Sequence, residues 1–325
     1  VTGGAGFIGS HYVRALLSDA LPGASVTAVT VLDKLTYSGI RANLDPVAAD
    51  PRLRFVHGDI CDVELVDDLV PGHDAIVHFA AESHVDRSIE GAAPFVVTNV
   101  LGTQSLLDAA LRNRIGRFLQ VSTDEVYGSI ESGSWTEDWP LAPNSPYSAT
   151  KAGADLLALA YFRTHRLDVV VTRCSNNYGP YQFPEKVIPL FVTNLMDRRR
   201  VPLYGDGGNV RDWLHVADHC AGIQLALSKG RAGEVYNIGG GTELTNRELT
   251  ERLLHACDAG WEMVEPVPDR KGHDRRYSLD ISKIQNELGY APAVDLDHGL
   301  AETVRWYHQN RAWWEPLKDR AAAEQ

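Results

Sequence analysis

Cysteine is scarce in this chain of 325 residues: there are four, Cys61, Cys174, Cys220 and Cys257, and no two form a C-x-x-C pair. That spacing excludes a disulfide framework and is expected of reduced thiols in a cytoplasmic protein. No cluster of His, Cys and Asp stands at ligand spacing, so no metal is expected. No apolar run approaches the length of a membrane span, and no membrane association is expected. Basic runs are missing too. The formal net charge is -12 and the pI about 5.4. An acidic chain without a basic stripe is a poor partner for nucleic acid or an anionic membrane surface. Arg198, Arg199 and Arg200 are the one basic cluster and read as a solvated helix end. There is no internal repeat, and the one biased segment is a polar, alanine-rich tail after Leu317. Only Val1 and Thr2 precede Gly3. The chain is therefore expected to start inside its first strand, short of a few residues, with no signal peptide ahead of the fold.

What is present is an ordinary globular composition, 44% hydrophobic and 23% charged. Short β-rich runs alternate with helical patterns through the first half. Val26 to Leu32, Leu53 to Val56, Ala75 to Phe79, Phe118 to Val121 and Val169 to Thr172 read as strands. Ser10 to Leu21, Val63 to Val70, Pro94 to Arg112 and Tyr147 to His165 read as helices. Near-continuous apolar strands between helices predict an α/β fold with a doubly wound, Rossmann-type parallel sheet. After Arg173 the texture changes. Residues 176 to 184 and 202 to 212 are rich in turn formers and read as loops, the first of them a domain boundary or a site-lining loop. A helix from Val216 to Ser228 and a strand from Glu234 to Ile238 return to the large domain. Glu248 to Ala256, Ile281 to Leu288 and Leu300 to Trp306 read as helices of a smaller C-terminal α/β part. The expected division is residues 1–178, with a return segment near 212–240, for a dinucleotide, and 179–211 with 241–325 for a substrate.

The opening VTGGAGFIGSH places Gly3, Gly6 and Gly9 between a strand end and a helix start. Glycines let the backbone turn tightly beside a pyrophosphate, with Phe7 and Ile8 between the second and third of them, and the helix N-terminus that follows offers it unpaired N–H groups. Asp33 ends the second strand, where an acid accepts hydrogen bonds from the adenosine ribose and repels a 2′-phosphate, favouring NAD⁺. Lys34 beside it works against that repulsion. Asp59 and Ile60 follow the third strand, near the expected adenine position. Ala80 and Ala81 follow the fourth, where small side chains let a cofactor lie against the backbone.

Tyr147 and Lys151 are four apart at the start of a helix and share a face. An ammonium beside a phenol favours phenolate, so the tyrosine is expected to titrate low and to act as a base. With the glycine motif, this pair resembles the extended short-chain dehydrogenase/reductase family. The resemblance implies that Tyr147 is the base, that Lys151 holds it and the nicotinamide ribose, and that Thr123 completes the set. It also brings Ser83 and Cys174 into the NAD site.

Thr123 is followed directly by Asp124 and Glu125. Two close carboxyls push their pKa values apart, so one can serve as acid and the other as base. Neighbours on a regular strand face opposite ways, so both reach one substrate only where the strand breaks. The block Ser122-Thr123-Asp124-Glu125-Val126-Tyr127-Gly128 is similar to that of the dTDP-glucose 4,6-dehydratase family. Residues 82–88 (ESHVDRS), 173–180 (RCSNNYGP) and 269–277 (DRKGHDRRY) resemble further segments of it, although Lys271 stands where that family commonly has proline. The resemblance covers nearly the whole chain. It implies NAD as cofactor and dTDP-glucose as substrate, oxidised at C4, dehydrated across C5 and C6 and reduced at C6. Asp124 would be the acid and Glu125 the C5 base. It implies substrate contacts from Ser83, Thr123, Asn176, Lys186, Asn246, His273 and Tyr277. Arg211 and Arg270 are candidates for the diphosphate, and Tyr204 for the nucleobase. It implies a homodimer through the helices at 94–112 and 147–165. A sugar-nucleotide 4-epimerase and a non-catalytic NAD-binding regulator remain alternatives. The first needs no Asp124 or Glu125, and the second needs no Thr123, Tyr147 or Lys151.

Overall fold

The computed structural model describes residues 1–21 and 23–323. Among them the strands are β1 (Val29–Asp33), β2 (Leu53–His57), β3 (Ala75–His78), β4 (Arg117–Thr123), β5 (Val169–Cys174), β6 (Asn176–Tyr178), β7 (Val201–Tyr204), β8 (Val210–His215), β9 (Val235–Ile238), β10 (Glu243–Thr245) and β11 (Val264–Val267). The helices of the first half are α1 (Phe7–Leu17), α2 (Val63–Leu69), α3 (Val85–Glu90), α4 (Ala93–Phe95), α5 (Thr103–Arg112) and α6 (Pro146–His165). Those of the second half are α7 (Val187–Met196), α8 (Val216–Lys229), α9 (Asn246–Ala256), α10 (Ser282–Leu288), α11 (Leu296–Gln309) and α12 (Arg311–Ala323).

Thr2 makes parallel bridges to both Leu32 and His78, so the first two residues lie between β1 and β3. With β1 on β2, β3 on β4, β4 on β5 and β5 on β9, all parallel, the large sheet runs β2–β1–(1–2)–β3–β4–β5–β9. The order reverses beside the first segment, which leaves a crevice at the carboxyl ends of the strands there. One core lies under α1, α8 and α10 and a second under α2, α5 and α6, one on each face of the sheet. A smaller mixed sheet, β10–β8–β6, and the parallel pair β7–β11 form the second part. Its core is built from α7, α9, α11 and α12, around Trp314, Tyr307 and Phe191.

Several expected elements shift for local reasons. Helix α1 starts at Phe7 rather than Ser10, because the glycine turn feeds straight into it. Strand β1 begins at Val29, three residues later than expected. The helix expected from Pro94 to Arg112 widens into a π-helical stretch, Val96–Gly102, between α4 and α5. Residues 202–212 are not one loop: β7 and β8 flank a turn in which Gly205 and Gly207 take positive φ. α10 does not join the smaller part either. Ile284 and Leu288 pack into the core shared with α1 and α8, because the apolar face of so short a helix is buried most fully there. The tail after Leu317 continues as α12 to Ala323; positions 324 and 325 lie outside the described residues.

Candidate active site

The carboxyl ends of the parallel strands open into a cleft of about 310 Å³. Gly3 closes the first turn with φ +67°, a conformation open to glycine at little cost. A Cβ at Gly3 would stand 2.5 Å from the backbone nitrogen of Ala80, and one at Gly9 2.3 Å from the Gly3 carbonyl. Helix α1 then starts without a side-chain cap and without an acid in its first turn, and Phe7 and Ile8 line the cleft. An uncapped helix N-terminus facing a cleft fits a dinucleotide pyrophosphate. Asp33 also lines it, but each carboxylate oxygen already accepts a backbone N–H, Ala5 at 2.8 Å on one and Leu35 at 2.8 Å on the other. It therefore braces the glycine turn as well as lining the cleft. Lys34 pairs with Asp59 at 2.6 Å across the mouths of β1 and β2. Ile60, Ala80, Ala81, Ser83 and Cys174 complete this wall. Burial pushes the Cys174 thiol up, so it lines the cleft as a neutral group.

Helix α6 presents Tyr147 and Lys151 to the same cleft. Ser145 caps it, accepting the Ser148 N–H at 3.1 Å, and Pro146 occupies its first turn, so the helix starts at a defined residue. The Tyr147 N–H donates to Ser88 Oγ at 3.1 Å, and the ring meets Phe95 edge-on at 6.4 Å. The expected low tyrosine pKa is not what the protein alone provides. Burial and then the Glu125 charge hold the phenol well above its usual range, while a hydrogen bond with Thr123 pulls the other way. Lys151 is not among the groups that lower it; its ammonium donates to the Val121 carbonyl at 2.7 Å.

Strand β4 breaks at the required point. Asp124–Tyr127 forms a 3₁₀ turn, with Thr123 Oγ1 accepting the Glu125 N–H at 3.3 Å. Asp124 is 2% exposed. Burial and the neighbouring Glu125 hold its carboxyl well above the carboxylate range. Oδ1 accepts from Thr123 Oγ1 at 3.3 Å, and Oδ2 has no partner. Burial raises Glu125 as well, but Arg270, Lys186 and Arg211 oppose it, as does Ser148 Oγ, which donates to Glu125 Oε2 at 3.2 Å. The two acids thus have different surroundings: Asp124 is driven toward the neutral form, and Glu125 is drawn back toward the carboxylate.

Not every residue expected on the substrate side lines the cleft. Ser83, Asn176 and Lys186 do, with Lys186 Nζ donating to the Ser83 carbonyl at 3.2 Å and Asn176 Oδ1 left without a partner. Tyr204, Arg211, Asn246, Arg270, His273 and Tyr277 lie beyond its wall. Arg211 stacks 4.0 Å over the Tyr277 ring and donates to the carbonyls of Val210 and Asp274. Arg270 reaches Asp86 at 3.6 Å, and its Nε is buried without a partner. His273 pairs with Asp269 at 2.6 Å and meets Tyr204 edge-on. Asn246 opens α9 behind the Thr245–Glu248 capping box. The charges of Arg211 and Arg270 both reach Glu125, which ties the 269–277 segment to the acid pair.

Sequence reasoning missed Glu185, which lines the cleft with its side chain 3% exposed, near His84 at 3.6 Å and Arg87 at 3.5 Å. Its position directly before Lys186 was the available signal. It also missed Asn99, buried in the π-helical stretch, which brackets Glu82 through both its N–H and its carbonyl and donates to Thr150 on α6. Among the described residues no group of His, Cys, Asp and Glu could hold a metal ion, and no helix is long and apolar enough to cross a membrane.

Comparison with known proteins follows the same lines. A family model described as GDP-mannose 4,6 dehydratase matches residues 1–303. A dTDP-glucose 4,6-dehydratase of Streptomyces niveus is 68% identical over 318 residues, covering 98% of this chain and 95% of that one. One from Actinoplanes is 66% identical over 97% of this chain and 98% of that one. The crystal structure of DesIV, a dTDP-glucose 4,6-dehydratase from Streptomyces venezuelae with NAD and TYD bound, superposes with a TM-score of 0.96 at 66% identity, covering 97% and 98% of the two chains. A UDP-glucose 4-epimerase from Thermotoga maritima shares the fold at a TM-score of 0.87 and 32% identity, over 95% and 98% of the two chains. By sequence and by fold, the chain belongs to the GDP-mannose 4,6-dehydratase family of extended short-chain dehydrogenases/reductases.

Proposed function

We infer that this protein is an NAD-dependent hydro-lyase that converts dTDP-glucose to dTDP-4-keto-6-deoxyglucose. The observation that carries the reading is the Asp124–Glu125 pair at the broken end of β4, Asp124 buried and Glu125 half-buried, beside Tyr147 and Thr123. An epimerase has no use for two carboxyls there, and a regulator has no use for the tyrosine and lysine. Bound NAD⁺ would supply a hydride acceptor for sugar C4, a hydride donor for C6 and a positive charge near the Tyr147 phenol. The glycine turn and the start of α1 would hold its pyrophosphate, Asp33 and Asp59 its adenosine end, and Lys151 its ribose.

The remaining steps belong to the chain. Tyr147 takes the proton from the sugar O4, and Thr123 hydrogen-bonds the same oxygen. The 4-ketone acidifies C5–H, and the Glu125 carboxylate removes that proton. Asp124, kept neutral by burial and by Glu125, gives its proton to the departing C6 hydroxyl. Glu125 returns a proton to C5. Ser83, Asn176 and Lys186 hold the sugar side, while Arg211, Arg270 and the 269–277 segment, with Tyr204 and Asn246, receive the nucleotide.

Residues 1–178 with the return segment near 212–240 form the cofactor domain, and the rest, apart from α10, forms the substrate domain. The enzyme works in the cytoplasm, in keeping with four free cysteines. It works as a homodimer through the π-helical stretch and α6, where Val96, Val97, Leu101 and Leu156 are 47–56% exposed. Mass spectrometry in D₂O tests the reaction. Loss of one water from dTDP-glucose, with deuterium at C5 and no added reductant, is the expected result. Interconverted C4 epimers, or no change in dTDP-glucose, UDP-glucose and UDP-galactose alike, would sink it.

A further inference from the structure

We propose that Ser148 is the positioning residue of the C5 base: its hydroxyl, aimed by the N-cap of α6, holds the Glu125 carboxylate at the helix N-terminus. This rests on the dehydratase reading above. Three contacts fix the direction of the chain. Ser145 Oγ accepts the Ser148 N–H at 3.1 Å as the cap of the helix. The two serine oxygens are 2.7 Å apart, and Ser148 Oγ is 3.2 Å from Glu125 Oε2. A hydroxyl has one proton to give, and a carboxylate can only accept. Ser148 therefore donates to Glu125 and must accept from Ser145. Ser145 can do both, because the cap uses its lone pair and not its proton. Ser148 is 1% exposed, so its hydroxyl is shielded from bulk solvent. The Glu125 backbone is held separately, by Thr123 Oγ1 at 3.3 Å.

The base is thus fixed at both ends, and its donor sits on the helix turn that carries Tyr147. A proton acceptor and the tyrosine that opens the reaction are locked to one rigid element, which keeps both aligned with neighbouring sugar atoms. The positive end of α6 adds to the hold on a carboxylate. Glu125 also faces Arg270 from the 269–277 segment, Lys186 from the start of α7 and Arg211 from β8. Asp124 stands beside it, with Tyr147 on α6, Cys174 on β5 and Tyr277 in reach of its charge. Ser148 is the neutral donor in this set, so its loss removes a directed hydrogen bond without changing the site's charge.

A hydrogen bond to the charged form favours that form, so removing it leaves less of Glu125 ionised at low pH. The test is the pH dependence of C5 deuterium uptake from D₂O with dTDP-glucose and the NAD-loaded enzyme. In Ser148→Ala the rate on the acid limb falls about tenfold, the scale of one charge-assisted hydrogen bond. The gap narrows as pH rises, and KM is unchanged. Ser148→Thr restores the limb. Ser145→Ala lowers Tm through its lost cap but moves the limb less, because Ser148 keeps its proton. Should Ser148→Ala not fold, Ser148→Cys keeps the shape with a weak donor and gives the same shift. An acid limb that overlays the wild type in Ser148→Ala or Ser148→Cys overturns the proposal, whatever happens to Tm. A wild type that releases no water from dTDP-glucose overturns the dehydratase reading instead.

Discussion

Replacing Glu125 by Gln separates the two halves of the reaction. The amide has nearly the same shape and can still accept from Ser148 Oγ, so the fold and the 3.2 Å contact are expected to persist. What disappears is the charge, and with it the base at C5. A positioned general base contributes about a hundred- to ten-thousand-fold, or about 3–5 kcal/mol of barrier, and C5 exchange should fall by that much. The first half should move the opposite way. Glu125 is the largest charge holding the Tyr147 phenol up, so its removal brings the phenol closer to ionisation and favours proton removal from O4 at a given pH. It also relieves the second cause that raises Asp124. Acid-quenched single turnovers, resolved by mass spectrometry, should show the 4-keto-glucose nucleotide accumulating without deuterium at C5 and without loss of water. Deuterium uptake in Glu125→Gln at the wild-type rate would refute the assignment of the base. Loss of the 4-keto species together with C5 exchange would show that the charge serves the oxidation as well.

Gly3→Ala forces a Cβ to within 2.5 Å of the Ala80 nitrogen at φ +67°, so it should cost about 1–3 kcal/mol and the purified protein should retain less NAD; full cofactor content at an unchanged Tm would count against the turn as a pyrophosphate seat. Asp155→Ala strands the Arg173 guanidinium, paired with it at 2.9 Å and 3% exposed, and should cost about 3–5 kcal/mol by denaturant unfolding, partly recovered by adding Arg173→Met. A double variant as unstable as the two losses summed would argue that the pair is not coupled. His78 and His219 are buried and held down to about 3 from an ordinary 6.5, burial being the largest cause in both. The unfolded chain then binds protons that the folded one refuses, so stability is complete above about pH 6.5 and falls by about 1.4 kcal/mol per unit for each histidine as pH drops toward 3. His78→Gln should flatten the acid side of a stability–pH curve, and equal slopes in the two proteins would reject the point.

Much of this was legible in the sequence because it is local. The glycine spacing, the β-branched strands and the i, i+4 pair follow from backbone sterics and helix geometry, which act within a few residues. They suffice to predict the doubly wound sheet, the glycine-lined end of the cleft and the candidates Asp124, Glu125, Tyr147 and Lys151, whereas Thr123 came from the family resemblance. The tail of α1, the π-helical stretch and the strands hidden in 202–212 were not legible, since their limits depend on what they pack against. Helix α10 looked like part of the smaller domain by position, and only burial against α8 and β9 decided its place.

The chemistry divides in the same way. The sequence by itself determined which groups could react, because identity and spacing set what a side chain can donate or accept. It could not assign their states. The split between Asp124 and Glu125 and the donor behind Glu125 come from residues 23 to 145 positions away, Ser148, Lys186, Arg211 and Arg270 about Glu125, and the sign of the Tyr147 shift comes from burial and from Glu125. Desolvation and Coulomb forces act through space rather than along the chain, so only the folded arrangement of these groups decides which acid keeps its proton and which gives it up.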